Sequence, residues 1–162
     1  MTSRAVAWSE SAALFALLYI GIPWTGLRLD DVLGLPGLPA WISVPGISLA
    51  VFGAIGLVWC FTLFAQRGGG TPNPIRPPQR LVTSGPYGLT RNPIILFHAA
   101  TLLGLSLFVG SPSATFITVV LGVPAYFIVL REEKTLEARF GAEYAGYRAS
   151  VPRWLLRPWR HR

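Results

Sequence analysis

The feature of this sequence that most limits its fold is a charge-free run of 39 residues between Arg91 and Arg131. The run contains no Asp, Glu, Lys or Arg, and its one histidine is His98. A membrane-spanning helix needs roughly 20 apolar residues, so the run is long enough for two crossings. The sequence Gly110-Ser111-Pro112-Ser113 in its middle is typical of a tight turn. The run therefore predicts a helical hairpin.

A second charge-free run lies between Asp31 and Arg67, and apolar residues also dominate the stretch that follows the N-terminus. With 52% hydrophobic and 13% charged residues, the chain is too apolar for an ordinary soluble domain. We predict an all-α membrane protein with about four transmembrane helices and a C-terminal amphipathic cytoplasmic helix. The spans are expected at residues 11–27, 41–65, 92–109 and 114–130.

The chain is expected to form one membrane domain over residues 1–162. Its predicted segments are the first two spans (1–66), a loop (67–91), the hairpin (92–130), and a C-terminal helix with its tail (131–162).

The positive charge, formally +7, is concentrated in the central loop and after the fourth span, and only Arg28 falls on the other side. By the positive-inside rule, this distribution places both termini and the central loop in the cytoplasm, and we expect a bacterial inner membrane protein. The basic residues therefore indicate orientation and contact with membrane lipid, and we expect no nucleic-acid partner.

Two smaller features receive a structural interpretation. Residues 28–40 form a short loop rich in Gly and Pro, and Asp30 and Asp31 within it are interpreted as part of a solvated connector. Cys60 is the single cysteine and lies within the second span, so it is interpreted as a packing residue. We expect no metal site in this chain.

The central loop has the composition of a structured segment. Residues 71–91 contain five prolines, which remove backbone donors and prevent a regular helix. Leu81, Val82 and Tyr87 offer apolar anchors on which the loop can fold. Because long loops without regular structure are usually functional or disordered, these anchors favour function.

The segment after the fourth span has apolar residues at intervals of three and four, which predicts one face of a helix ending before Pro152. An amphipathic helix lying on anionic lipid is one interpretation, which the basic and aromatic tail 153–160 supports. A lid over a binding site is the other, and both remain open. The residues on the apolar face are Leu136, Phe140, Tyr144, Tyr147 and Val151.

Charged residues mark both ends of the hairpin, with Arg91-Asn92-Pro93 before it and Arg131-Glu132-Glu133 after it. Because the hairpin is short, these two segments are expected to be neighbours. Two adjacent glutamates at a membrane boundary are costly unless they are solvated or paired. They either face a polar ligand or pair with Arg91 and Lys134.

The motifs GPYGLTRNP and, about forty residues later, REEKTLEARFGAEYAGYRASVPR resemble the isoprenylcysteine carboxyl methyltransferase and phospholipid methyltransferase superfamily. The resemblance covers roughly residues 79–152. It implies an integral membrane methyltransferase that uses S-adenosylmethionine, with Glu132 at the ribose or amino end of this cofactor. The other cofactor-binding residues that it implies are Gln79, Arg80, Leu81, Val82, Tyr87, Arg91, Asn92, Pro93 and Ile95.

The chain departs from the family pattern at three positions. The family commonly has His at position 92 and Tyr at position 95, where this chain has Asn92 and Ile95. The carboxyl methyltransferases also have an Arg at the position of Ile128, which receives the prenylcysteine carboxylate. The resemblance therefore favours a lipid amine or a small thiol as acceptor over an isoprenylcysteine-like carboxylate.

The candidate catalytic residues are His98, Arg131 and Glu133. His98 could accept a proton from an amine or thiol, or it could be a neutral histidine bonded between helices. Arg131 could replace the missing substrate arginine or anchor the helix at the membrane. A lipophilic or small-molecule acceptor would arrive from the bilayer. The alternative function is a non-catalytic membrane assembly or chaperone module that keeps the hairpin.

Overall fold

The computed structural model describes residue 15 and residues 17–68 and 80–155. The regular elements in these ranges are all helical. The α-helices are α1 (Ile22–Leu33), α2 (Ser43–Leu63), α3 (Pro93–Phe108), α4 (Pro112–Val120), α5 (Gly122–Phe140) and α6 (Ala142–Ser150). Short π-helical turns occupy Leu17–Gly21 and Phe64–Gly68, and 3-10 turns occupy Ala40–Ile42 and Gly85–Gly88.

Two helical stretches are long and apolar enough to cross a membrane, Ala40–Leu63 and Pro112–Phe140, and α3 is a shorter apolar helix. They overlap the predicted second (41–65), fourth (114–130) and third (92–109) spans, and the prediction of an all-α membrane protein is confirmed. Residues 11–14 and 16 of the predicted first span lie outside the described residues, and residues 17–27 fall in the turn Leu17–Gly21 and the first half of α1. The bilayer explains why apolar side chains such as Val51, Phe52 and Ile55 of α2 are exposed in the isolated chain.

The contacts within the chain group it into two compact units. The first unit consists of Met1–Gly53 and Ala99–Val123, and the second of Ala54–His98 and Pro124–Arg162. The division falls within α2, α3 and α5, so each of these helices contributes residues to both units.

Helix α1 of the first unit overturns one prediction. It continues to Leu33 and ends at Gly34, whose left-handed φ of 64° suits a residue without a side chain. Asp30, expected in a solvated connector, is only 7% exposed. Its carboxylate accepts hydrogen bonds from the Ser111 hydroxyl and from the backbone N–H of Ser113 at 3.0 Å. A buried acid thus ties α1 to the start of α4.

The predicted turn of the hairpin is confirmed at Gly110–Ser111. Ser111 is the N-cap of α4, because its hydroxyl accepts the backbone N–H of Ala114 at 3.0 Å. Below the turn, the hydroxyls of Ser106 and Thr118 lie 3.0 Å apart in a buried hydrogen bond between α3 and α4. The polar groups that the hairpin buries here therefore satisfy one another.

In the second unit, the central loop is anchored as predicted. Val82 and Tyr87 are each 6% exposed and form a buried cluster with Cys60 and Leu63 of α2. The ring of Tyr87 meets that of Phe64 edge to face, with the centroids 5.4 Å apart. Cys60 is fully buried in this cluster, which confirms its interpretation as a packing residue.

The C-terminal amphipathic segment folds differently from the prediction of one helix after the fourth span. Helix α5 continues beyond Leu130, the predicted end of the fourth span, to Phe140. Gly141 interrupts the helix, and α6 begins at Ala142. Gly141 has φ 50° and ψ −120°, a backbone conformation almost restricted to glycine. The residues of the predicted apolar face nevertheless pack together, because Leu136 and Phe140 lie against the cluster of Tyr144, Tyr147 and Val151.

Candidate cofactor site

An ion-pair network in the second unit joins the start of α3 to α5 and to the segment after α6. Glu133 is 7% exposed, and its carboxylate lies 3.2 Å from Nη2 of Arg91. Arg153 binds the same carboxylate with both arms, from Nε to Oε1 at 3.0 Å and from Nη2 to Oε2 at 2.8 Å. We call these three residues the Glu133 network. One carboxylate thus faces two guanidinium groups, which leaves a net positive charge.

The segment that brings Arg153 into position, residues 151–153, is named the return segment here. Pro152 cannot continue a helix, and Val151 before it is extended with φ −116° and ψ 129°. The carbonyl of Pro152 accepts the backbone N–H of Arg91 at 3.0 Å. The carbonyl of Arg153 accepts the Thr90 hydroxyl at 2.7 Å and the Asn92 amide at 3.2 Å. The start of α3 therefore holds the return segment by its backbone.

Three tyrosines surround this region. The Tyr147 hydroxyl donates a hydrogen bond to the carbonyl of Tyr87 at 2.7 Å, which ties α6 to the central loop. Tyr144 is 1% exposed. Burial raises the pKa of Tyr144, and the negative charge of Glu133 raises it further. Burial also raises the pKa of Tyr147. Both hydroxyls are therefore protonated donors at neutral pH.

Several buried donors of this region have no hydrogen-bond partner among the described residues. They are Nε and Nη1 of Arg91 and the hydroxyl of Tyr144. Burying a polar group without a partner costs about 1–3 kcal/mol, and a charged group costs more. The arginine is the most informative of them, because its side chain is 8% exposed and only Nη2 is paired with Glu133. The unused donors form a site suited to an anionic ligand group.

Comparison with known proteins assigns this chain to a family. The phospholipid methyltransferase family model matches residues 41–143, which is more than half of the chain. The chain belongs to the phospholipid methyltransferase family. This confirms the superfamily that the sequence motifs indicated, and with the apolar helices it identifies a membrane protein.

A curated relative, the cobalt-zinc-cadmium resistance protein CzcN of Cupriavidus metallidurans, is 28% identical to the chain over 144 residues. The match covers 89% of this chain and 58% of the relative, so the chain spans less than two thirds of that protein's length. No solved structure matches the chain.

The structure brings together many of the residues that the resemblance to the methyltransferase family implied. Arg91 and Glu133 are in direct contact, so the two ends of the hairpin are neighbours as predicted, and one member of the Glu pair is paired with Arg91. Val82 and Tyr87 lie in the cluster around Cys60, and Leu81 packs against the cluster around Tyr144.

Three further predicted cofactor residues lie at or just before the start of α3. Pro93 is almost fully buried, Asn92 is 7% exposed, and Ile95 is half-buried. The amide of Asn92 donates to the Arg153 carbonyl. Asn92 therefore has a described role in holding the return segment at a position where the methyltransferase family commonly has His. Its contact with a cofactor stays a prediction.

The remaining predicted residues lie at the margin of the network or beyond it. Arg80, Arg131 and Glu132 are exposed, and Gln79 lies outside the described residues. Among the hydrogen bonds and ion pairs described, none joins the side chain of Arg80 or Arg131 to the Glu133 network. His98 is half-buried, and its ring lies against that of Phe61 with centroids 6.4 Å apart.

The sequence reading missed Arg153 as a member of this site, because it grouped this residue with the basic and aromatic tail. Residues 133 and 153 are 20 positions apart, and no local periodicity joins them. The usable signal was Pro152, which ends α6 and fixes an extended backbone just before an arginine. Thr90 was missed for the same reason, because its partner is 63 positions away.

Proposed function

We propose that this member of the phospholipid methyltransferase family is an active methyltransferase that takes its methyl group from S-adenosylmethionine. Its acceptor would be a lipophilic or small molecule that enters from the bilayer. Family membership supports the reaction class, and the partly unpaired guanidinium of Arg91 supports the cofactor. That guanidinium is the observation on which the proposal chiefly rests.

The charges of S-adenosylmethionine suit the described residues. Its carboxylate would meet Nε and Nη1 of Arg91, which are buried donors without a partner. Its ammonium would meet the carboxylate of Glu132, which is next to Glu133 in α5. Arginine is well suited to the carboxylate, because its planar fork can form two parallel charge-assisted hydrogen bonds.

The adenosine end would lie along the central loop. Tyr87 offers an aromatic ring, and Leu81 and Val82 offer apolar surface. The proposed cofactor-binding set is completed by Gln79, Arg80, Asn92, Pro93 and Ile95.

The reaction would need little covalent chemistry from the protein. S-adenosylmethionine supplies an electrophilic methyl group, and the acceptor atom attacks it in line with the bond to sulfur. The protein must hold the reacting groups in near-attack geometry and exclude water. His98 would accept the proton that an amine or thiol loses, Arg131 would face an anionic group of the acceptor, and Glu133 would keep Arg91 in place.

The acceptor class follows from two considerations. The family description indicates a lipid, which would reach the site through the membrane. Position 128 holds an exposed isoleucine, so an arginine for a prenylcysteine carboxylate is missing there. We therefore favour a lipid amine or a small thiol. Because basic residues follow α5 and fill the central loop, the site would face the cytoplasm of a bacterial inner membrane.

A non-catalytic assembly or chaperone module remains the second candidate, and Asn92 favours it, because its amide holds the return segment. The name of the relative CzcN, a metal resistance protein, does not state an enzymatic activity.

Titration of the purified protein in detergent with S-adenosylmethionine, followed by calorimetry, separates the two candidates. We expect saturable binding, and the absence of binding at millimolar cofactor would remove the methyltransferase proposal. Glu132→Gln should weaken binding by about 1–3 kcal/mol if this carboxylate meets the ammonium. Lipid extracts incubated with a labelled methyl donor would then identify the acceptor.

A further inference from the structure

We infer that Arg153 is a positioning residue, which keeps Nε and Nη1 of Arg91 available to the carboxylate of the bound cofactor by holding Glu133 against Nη2 alone. The inference rests on the proposed function, because it concerns how the same site recognises S-adenosylmethionine. Arg153 itself need not touch the cofactor.

Arg91 and Arg153 share the carboxylate of Glu133 unequally. Arg153 occupies both oxygens of the carboxylate, at 3.0 and 2.8 Å. Arg91 reaches the same group through Nη2 alone, at 3.2 Å. A carboxylate next to an arginine normally forms two parallel hydrogen bonds with it, and Arg153 makes these bonds in place of Arg91.

Both the backbone and the side chain of Arg153 are held in place beside Glu133. Its backbone carbonyl is held by Thr90 and Asn92, the residues on either side of Arg91. Its guanidinium also lies over the ring of Tyr126, 5.9 Å from the centroid. The hydrogen bond with Glu133 raises the pKa of Arg153 above its usual value, so the residue stays charged. Arg153 is thus fixed at its backbone and at its side chain.

Loss of Arg153 would change the pairing of Glu133. Its side chain is 32% exposed, whereas those of Arg91 and Glu133 are 8% and 9% exposed. Glu133 would remain buried beside Arg91 without its second partner. It would then turn toward the unpaired Nε and Nη1 of Arg91 and compete with a ligand carboxylate for them.

The experiment compares two ligands, S-adenosylmethionine and its decarboxylated analogue, on the full-length protein in detergent. The wild-type protein should prefer S-adenosylmethionine by about 10- to 100-fold, the range expected for charge-assisted hydrogen bonds. In Arg153→Ala, affinity for S-adenosylmethionine should fall by about tenfold, whereas affinity for the analogue should change by less than about twofold. A general loss of structure would weaken both ligands alike.

Two further variants separate positioning from charge. Arg153→Lys keeps the charge, but one ammonium cannot reproduce the two-armed geometry, so it should restore the preference only in part. Arg148→Ala is the matched control, because it removes a positive charge that pairs with the exposed Glu137. It should leave the preference unchanged.

Three results would overturn the inference: no preference in the wild-type protein, an unchanged preference in Arg153→Ala, or complete rescue by lysine. In all three cases S-adenosylmethionine still binds the wild-type protein, so the proposed function survives. Absence of binding to the wild-type protein is a different result and removes the proposed function itself. If Arg153→Ala does not fold, Arg153→Lys decides, and an unchanged preference in that variant overturns the inference.

Discussion

Asp30 in the first unit and Glu133 in the second are both buried carboxylates, each 7% exposed, but their surroundings differ. Asp30 accepts hydrogen bonds from Ser111 and Ser113 at the start of α4, and none of these three residues retains an unpaired buried side-chain atom. Glu133 faces two arginines, and one of them, Arg91, keeps two buried donors unpaired. The pairing of Asp30 accounts for a structural role, whereas the unpaired donors of Arg91 are the feature that supports the proposed cofactor site.

The largest expected effect is that of removing the charge of Glu133. Glu133→Gln leaves the buried guanidinium of Arg91 without its counter-charge, which should lower the free energy of unfolding by about 3–5 kcal/mol. Denaturation in mixed micelles would measure it. Glu137→Gln is the control, because Glu137 and Arg148 are about half exposed and their pair should contribute less than about 1 kcal/mol. If both substitutions lowered the free energy of unfolding equally, burial of the ion pair would not explain the effect of Glu133→Gln.

The next effect concerns the fully paired carboxylate. Asp30→Ala removes the acceptor of two buried donors and should lower the free energy of unfolding by about 2–3 kcal/mol. S-adenosylmethionine binding measured on the folded fraction should not change. A cofactor affinity that depended on Asp30 would break the distinction between the two carboxylates.

The same acid gives a pH dependence with a definite sign. Burial alone would raise the pKa of Asp30, but the hydrogen bonds from Ser111 and Ser113 hold it below the usual value. The pKa is therefore lower in the folded chain than in the unfolded chain. This contribution to stability is present at neutral pH and is lost as the pH falls through the lowered pKa. Asp30→Asn should lack this part of the acid dependence in denaturation curves measured at several pH values.

A smaller effect tests the break between α5 and α6. Gly141→Ala should destabilise the protein by about 1–2 kcal/mol, because its backbone conformation strains any residue with a side chain, although the space beside it is open. Gly146 lies inside α6 with equally open space, so Gly146→Ala should stabilise the protein by about 0.5–1 kcal/mol. Thermal unfolding of the two variants should shift in opposite directions.

The smallest effect compares a paired tyrosine with an unpaired one. Tyr147→Phe removes the hydrogen bond to the Tyr87 carbonyl and should cost about 1 kcal/mol in unfolding free energy. Tyr144→Phe removes a hydroxyl without a described partner and should change stability by less than about 0.5 kcal/mol. A clear loss in Tyr144→Phe would show that its hydroxyl is already used in the ligand-free protein.

The sequence alone was sufficient for the parts of the fold that depend on composition along the chain. The charge-free runs predicted α2, α3 and the apolar part of α5, because the bilayer permits few charges in a span. The turn at Gly110 and the anchoring of the loop by Val82 and Tyr87 were also predicted correctly. The proximity of the two ends of the hairpin also followed from its length, whereas the pairing of Glu133 with Arg91 was one of two alternatives.

Features set by contacts between distant residues were not predictable in this way. Asp30 looked solvated because it has an acidic neighbour and lies near Gly and Pro, and only the hairpin turn explains its burial. The break at Gly141 was missed because the apolar spacing continues across it. Arg153 was hidden among other arginines, since its partners Glu133 and Thr90 lie 20 and 63 positions earlier.

The return segment has a consequence for the order in which the protein is made. Thr90 and Arg153 are 63 residues apart, so at roughly 5–20 residues per second the ribosome adds Arg153 about 3–13 s after Thr90. During that interval the nascent chain carries Arg91 at the entrance of α3 without the backbone carbonyl of Pro152, and at first also without Glu133. The proposed cofactor site is therefore among the last parts of the described chain to be completed. A chain truncated before Val151 would lack the return segment permanently, whereas during normal synthesis this segment is missing only for seconds.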